Sequence, residues 1–217
     1  MQDFAREMRN IRQFVKRKLA GNRCGHDLDH TMRVYKNATA LCKLCGGNIE
    51  IISVSAMLHD IGRPEESRSK GTVCHAVIGA EIAAEYLKKR GFSSDFIAQV
   101  VHCIERHRFR KGNAPESLEA KILFDADKLD SIGPIGLGRA FLFAGNSGAR
   151  LHNSKKEALA AEEYSYQDTA YREYLVKLSK VPQRMLTEPG RELAQKYGAF
   201  MDNFFKEMNL QTKCNLK

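Results

Sequence analysis

No apolar stretch in the 217 residues approaches the roughly 20 needed to cross a bilayer. The opening Met1-Gln2-Asp3-Phe4-Ala5-Arg6-Glu7 is too polar for a secretory signal, so a soluble, cytoplasmic protein is expected. No run of any length alternates apolar and polar residues, which disfavours sheets and predicts a nearly all-helical chain. A GxxxxGK phosphate loop and a GxSxG nucleophile elbow are both missing, which disfavours the commonest ATPase and serine-hydrolase mechanisms. Internal repeats and low-complexity segments are also lacking. The six cysteines, Cys24, Cys42, Cys45, Cys74, Cys103 and Cys214, accompany no secretion signal and read as free thiols. Cys42 and Cys45 form a CxxC, but no second pair or nearby histidine completes a zinc site, so they read as buried thiols on one helix face.

What is present suits one domain over residues 1–217: 43% of the residues are hydrophobic, enough for a real core. The formal charge of +9 and a pI near 9.3 fit anionic ligands such as nucleotides or other phosphates. The cations are spread along the chain, apart from Arg6 to Lys18 and Arg106 to Lys111. Helices are predicted over Asp3–Leu19, His26–Leu44, Ile49–Ile61, Ala76–Lys89, Phe96–His107 and Leu118–Leu129 from apolar spacing and from flanking Gly, Asn and Ser. Arg63–Gly71 reads as a polar loop or lid and Ala144–Asn153 as another loop. Long helices are predicted over Lys155–Lys180 and Glu188–Met208. These last two leave open whether they cover a pocket or form a homodimer face, and Tyr164, Tyr166, Tyr171 and Tyr174 suit either.

The chain is organised around Ala56-Met57-Leu58-His59-Asp60-Ile61-Gly62, an apolar helix that ends in an imidazole next to a carboxylate. Taken alone, such a pair also reads as a helix-terminal histidine hydrogen-bonded to its neighbour. A mixed nitrogen and oxygen donor pair suits Mn²⁺, Fe²⁺, Co²⁺, Ni²⁺ or Zn²⁺, but two ligands rarely hold a catalytic ion. Three aspartates, Asp125, Asp127 and Asp130, fall in the apolar helix Leu118–Leu129 or at its end, where burying a carboxylate is costly; at least one requires compensation. His102 and His107 are five apart, about 140° around a helix, so one of them is expected to point into a shared site.

His26-Asp27-Leu28-Asp29-His30-Thr31-Met32-Arg33-Val34, Leu58-His59-Asp60-Ile61-Gly62 and Phe124-Asp125-Ala126-Asp127-Lys128-Leu129-Asp130-Ser131-Ile132-Gly133 occur in the order H, HD, D. Together they resemble the HD-domain superfamily of metal-dependent phosphohydrolases over about residues 23–143, with residues 155–208 as a C-terminal helical extension. The HDxxHxxRV opening and the DADxLDxIGxIGxxR ending look most like small bacterial and archaeal HD hydrolases, some of which are nucleoside triphosphate pyrophosphohydrolases.

The resemblance implies an all-α bundle of the HD type with C-terminal helices packed on it. It also implies a divalent metal, Mn²⁺ first and Fe²⁺, Co²⁺, Ni²⁺, Zn²⁺ or Mg²⁺ as alternatives, held by His30, His59, Asp60 and Asp127. His75 and His107 resemble ligands of a second metal in dinuclear members, where a second histidine usually follows. Arg108 stands there instead, which favours one metal with His75 and His107 lining the substrate site. Arg33, Arg108, Lys128 and Arg139 are the expected phosphate-binding cations, with Lys128 also placed at the reaction. Glu65 or Glu66 is the expected residue for orienting or deprotonating water. His26 and Asp27 read either as support for His30 or as helix caps. The expected substrate is a nucleotide cleaved at a phosphoanhydride or phosphoester bond, a (d)NTP releasing pyrophosphate being the leading reading. The alternatives are a dinuclear phosphodiesterase or nucleotidase, and a phosphate- or RNA-binding module with a structural metal. Neither a membrane nor nucleic acid is the expected partner.

Overall fold

Every residue from Ile51 to Leu58 is buried in the helix Ile49–Leu58, here α3, and a helix apolar on all sides needs neighbours on all sides. It finds them in α1 (Phe4–Lys18), α2 (Leu28–Cys45) and α6 (Ser94–Arg106). The computed structural model describes residues 4–21, 26–109 and 114–213, and among these no strand occurs, as the missing alternation predicts. The chain divides into two compact units, 1–127 and 128–217. The boundary falls inside α7 (Leu118–Leu129). Cys24, Cys214, Arg110, Lys111 and the turn residues 22–25, 112 and 113 lie outside the described residues.

In the first unit the helix starts are set by short polar side chains. Asp27 accepts from the backbone N–H of His30 at 2.9 Å, so it caps α2. Asn48 accepts from Glu50 and Ile51 to cap α3, and Ser93 caps α6. α1 is tied to the C-terminal end of α5 (His75–Lys89) by Arg90, whose Nε and Nη2 donate to the two oxygens of buried Glu7 at 3.0 and 2.8 Å. Cys42 and Cys103 are buried and Cys45 half-buried, all as free thiols.

Residues 63–71 are not the open loop expected from their polarity. Arg63–Arg68 forms the short helix α4, because Pro64 sits in its first turn, where no N–H is needed, and Glu65 and Glu66 complement the helix dipole there. α4 packs on α5. The turn before it comes so close to α5 that a Cβ on Gly62 would lie 2.4 Å from the His75 carbonyl oxygen and 2.8 Å from the Gly79 nitrogen. Only glycine at 62 lets the end of α3 meet the start of α5.

The second unit holds α8 (Gly133–Asn146), α9 (Lys155–Ala160), α10 (Ala170–Val176) and α11 (Glu188–Thr212). Its core includes an aromatic cluster in which Phe205, 1% exposed, meets Phe141, Tyr171, Tyr174 and Phe204. Of the four tyrosines left open by the sequence, Tyr171 is a core residue and Tyr174 is half-buried beside it, whereas Tyr164 and Tyr166 are exposed. The long helix expected over Lys155–Lys180 is broken. Ala161 is extended, Tyr164 adopts φ +62°, and Thr169 caps a new helix, so α9, α10 and one 3₁₀ turn, Leu178–Lys180, replace it. Apolar spacing alone does not reveal such a cap inside a periodic run.

Two stability predictions follow from these contacts. Gly62→Ala forces backbone apart and is expected to cost about 1–3 kcal/mol, read as a fall of several degrees in Tm; an unchanged Tm would contradict the close approach. The hydrogen bonds and charge of Arg90 hold the Glu7 carboxyl below its usual range. A carboxylate depressed on folding contributes stability above its unfolded pKa and loses it as pH falls through the folded value. Glu7→Gln is therefore expected to lower Tm at pH 7, with a deficit that shrinks as pH falls below about 4.5; a deficit that persists in acid would mean that shape, not charge, holds the contact.

Candidate metal centre

The first unit brings the HD residues together from several helix ends. His59 is the C-terminal cap of α3 and His107 that of α6. Each turns its ring back on its own helix: His59 Nδ1 donates to Ala56 O at 2.8 Å, and His107 Nδ1 to Ile104 O at 2.6 Å. These bonds satisfy carbonyls that a helix end leaves unpaired. A carbonyl oxygen only accepts, so the proton is on Nδ1 and the Nε2 lone pair faces the site. His75, first residue of α5, does the same through Nδ1 and Glu66 Oε2 at 2.9 Å.

The inward nitrogens face one another. His30 and His59 Nε2 are 3.3 Å apart, and His75 and His107 Nε2 3.2 Å. Asp60 lies against both pairs: Oδ2 is 3.5 and 3.6 Å from His30 and His59, while Oδ1 is 3.3 and 3.8 Å from His75 and His107. Asp127, from α7, approaches His30 at 3.6 Å. His30, His59, Asp60, His75 and His107 are all buried.

Electrostatics keeps these donors in their binding form. Burial lowers the pKa of His59, His26 and His107, and of His75 to about 4, so the imidazoles are neutral near pH 7. Burial alone would raise Asp60, but Arg63 and the imidazoles of His59 and His26 outweigh it and hold the carboxyl well below its usual range. Arg63 Nε donates to Asp60 Oδ1 at 2.8 Å, and Asp60 Oδ2 lies 2.8 Å from His26 Nδ1. Glu66 is held at about 2 against burial by the hydrogen bond and charge of His75 and by the charges of Arg63 and Arg108.

Unprotonated nitrogens facing each other at such distances repel unless a cation lies between them. Metal–nitrogen bonds of about 2.1 Å place neighbouring ligands about 3.0–3.4 Å apart, from octahedral to tetrahedral geometry. The donor set therefore fits divalent metal. Within it, His30, His59 and Asp127 make one close group, Asp60, His75 and His107 a second, and His26, His30 and Asp60 a third.

The other expected residues are distributed less simply. Of His102 and His107, only His107 joins the cluster; His102 Nε2 is buried without a hydrogen-bond partner. His26 lies 2.8 Å from Asp60 through Nδ1 and packs edge-on against the His30 ring, centroids 5.0 Å apart, while Asp27 caps α2 by accepting from the His30 N–H. Glu65 accepts from Lys18 and Arg68, so the carboxylate at the cluster is Glu66. Arg108, expected as a phosphate clamp, donates to Glu66 at 2.7 Å and reaches Cys74 Sγ at 3.5 Å. Arg139 likewise pairs with Asp130 at 2.7 Å, which accounts for one of the three costly aspartates. Lys128 and Arg139 both belong to the second unit. Arg33 is half-buried, three residues after His30 on α2.

Sequence reasoning placed Arg63 and Glu66 in a polar loop or lid and did not foresee the bond of Arg63 to Asp60. Reading Pro64 as the first turn of a helix would have put residues 63 and 66 on one face, and their bond at 3.0 Å follows from that spacing.

Comparison with known proteins places the chain in a family. The HD domain family model matches residues 27–132. The protein YpgQ of Bacillus subtilis (strain 168) is 30% identical over 207 residues, 94% of this chain and 92% of that one. The crystal structure of YpgQ in complex with ADP matches with a TM-score of 0.75 at 25% identity, covering 96% of each chain. Ribonuclease Y of Chloroflexus aurantiacus is 32% identical over 107 residues, which are 49% of this chain and 19% of that protein. With a matched domain, a full-length relative and the H, HD and D residues converging on one cluster, the chain belongs to the HD-domain superfamily of metal-dependent phosphohydrolases.

Proposed function

We propose that the protein is a nucleotide phosphohydrolase that cleaves a (d)NTP to the monophosphate and pyrophosphate. The observation that carries metal-dependent hydrolysis is the pair of facing imidazole couples with the Asp60 carboxylate against both; the choice of a nucleotide leans on the similarity to YpgQ. His30, His59, Asp60 and Asp127 would hold one divalent ion, Mn²⁺ as first choice, and His75 and His107 with the other Asp60 oxygen a second. The geometry thus shifts weight from the one-ion reading that Arg108 favoured in sequence. When bound, such ions provide a nucleophile from water at neutral pH and polarise a phosphoryl oxygen.

The chain's own work is positioning. Glu66 fixes His75 and gathers Arg63 and Arg108, while Arg63 and His26 hold Asp60 from opposite oxygens. Asp60 is therefore the carboxylate at the reaction, and of the two candidates Glu65 and Glu66 we assign the orienting role to Glu66. Arg33, on the face of α2 that carries His30, is the cation we assign to substrate phosphate. For Lys128 the motif alone speaks. Nucleotide binding by YpgQ, crystallised with ADP, supports a nucleotide substrate, and the partial likeness to Ribonuclease Y supports a phosphodiester as the second reading.

The test is hydrolysis of NTPs, dNTPs, monophosphates and short RNA with Mn²⁺, with product identification and metal counted per chain. Pyrophosphate release by the wild type is expected; orthophosphate alone, or cleaved RNA with intact NTPs, would reject the proposed bond. Asp60→Asn is expected to lose both activity and most bound metal. Glu66→Gln is expected to reduce kcat by about 10–100-fold, the usual effect of removing a residue that orients a ligand, with metal occupancy of the His75 and His107 pair lowered. Wild-type kinetics and metal content in Glu66→Gln would remove that residue from the mechanism.

A further inference from the structure

A cavity of about 880 Å³ opens in the second unit, and its walls contain none of the metal-centre residues. This volume is within the range of small-molecule sites, about 300–1,000 Å³. Four cations, Arg150, Lys155, Lys156 and Lys213, line it against one carboxylate, Glu157. That carboxylate is already engaged, by the backbone N–H of Ser154 at 2.7 Å and by Arg150 at 3.8 Å.

A run of surface lysines alone is commonly a solvated face. Here the cations surround a concave wall with a fixed polar floor. The His152 ring stacks on Tyr171, centroids 5.3 Å apart and planes 20° apart, and its Nε2 lies 2.9 Å from Asn209 Oδ1. Neighbouring Asn153, 2% exposed, is locked by its amide on Gln167 and by its oxygen accepting from Thr169 Oγ1 at 2.8 Å. Holding like charges around one hollow is unfavourable without a counter-ion, and several cations match several anionic oxygens better than one.

We infer that this cavity binds a polyphosphate chain, as free inorganic polyphosphate or as the phosphate tail of a nucleotide, independently of the metal centre. Its recognition is by charge, through lysine and arginine, with the phosphate oxygens as acceptors. The site would take such a ligand in the absence of divalent ions.

Calorimetric titration of the full-length protein in EDTA with inorganic tripolyphosphate, ADP and adenosine tests this. Tripolyphosphate and ADP are expected to bind, more weakly as salt rises, and adenosine is not. The Arg150→Ala/Lys156→Ala variant is expected to lose at least tenfold in affinity and Asp127→Ala none. Lys155→Ala/Lys213→Ala serves as an independent pair on the same cavity. ADP binding tenfold tighter than tripolyphosphate assigns the site to nucleotides, and equal binding assigns it to polyphosphate itself. Absence of binding in EDTA, adenosine binding as well as ADP, loss in Asp127→Ala, or wild-type affinity in both folded cavity variants each overturns the inference.

Discussion

The carboxylate of Asp60, 1% exposed, sits among the imidazoles of His26, His30, His59, His75 and His107 and against the Arg63 guanidinium. Burying an ionised carboxylate costs several kcal/mol unless charge and hydrogen bonds offset it. Arg63 and His26 supply that offset, one at each oxygen. Much of the first unit's local architecture follows from this requirement. α3 must end where Asp60 can meet Arg63, and Gly62 must lack a Cβ so that α5 can bring His75 to the other side of the carboxylate. Glu66 then joins Arg63, Arg108 and His75.

How much of this could be read in advance depended on what kind of interaction fixed each residue. His59, Asp60, His30 and Asp127 were legible because their residue types, order and helical settings are unusual together. The helices α1, α2, α3, α5, α6 and α7 were legible from their apolar spacing, which in α2, α3 and α6 agrees with a capping side chain. Glu66 was only one of two candidates because adjacent glutamates in a polar stretch look alike until the path of α4 is known. Arg108 and Arg139 were assigned to phosphate because a sequence shows a cation but not the carboxylate beside it. In both cases the partner, Glu66 or Asp130, is brought near by folding.

The second unit illustrates a different limit. Its apolar period runs from Lys155 towards Lys180, yet Asp168 accepts from the Tyr164 N–H and Thr169 caps α10. Local side-chain bonds thus interrupt a helix that spacing alone would continue. The interruption has a structural result. It sets Asn153, Gln167 and Thr169 into one bonded group, giving the basic cavity a wall that a continuous helix would not provide.

Of the two initial readings of His59, the helix-terminal histidine holds in altered form: the ring bonds back to Ala56 O at 2.8 Å rather than to its neighbour Asp60, and the same bond suits the proposed metal-binding role. A helix ends with unpaired carbonyls, and an imidazole placed at the end can satisfy one of them through Nδ1–H. That bond also fixes the tautomer, and a fixed tautomer aims a bare Nε2 away from its own helix. α3 and α6 both end this way, at His59 and His107, and His75 reaches the same state through Glu66. The protein therefore needs no separate scaffold to orient these ligands. The hydrogen bonds that terminate its helices also turn bare imidazole nitrogens toward Asp60, which is why the His/Asp cluster of the first unit lies at helix ends rather than along helix faces.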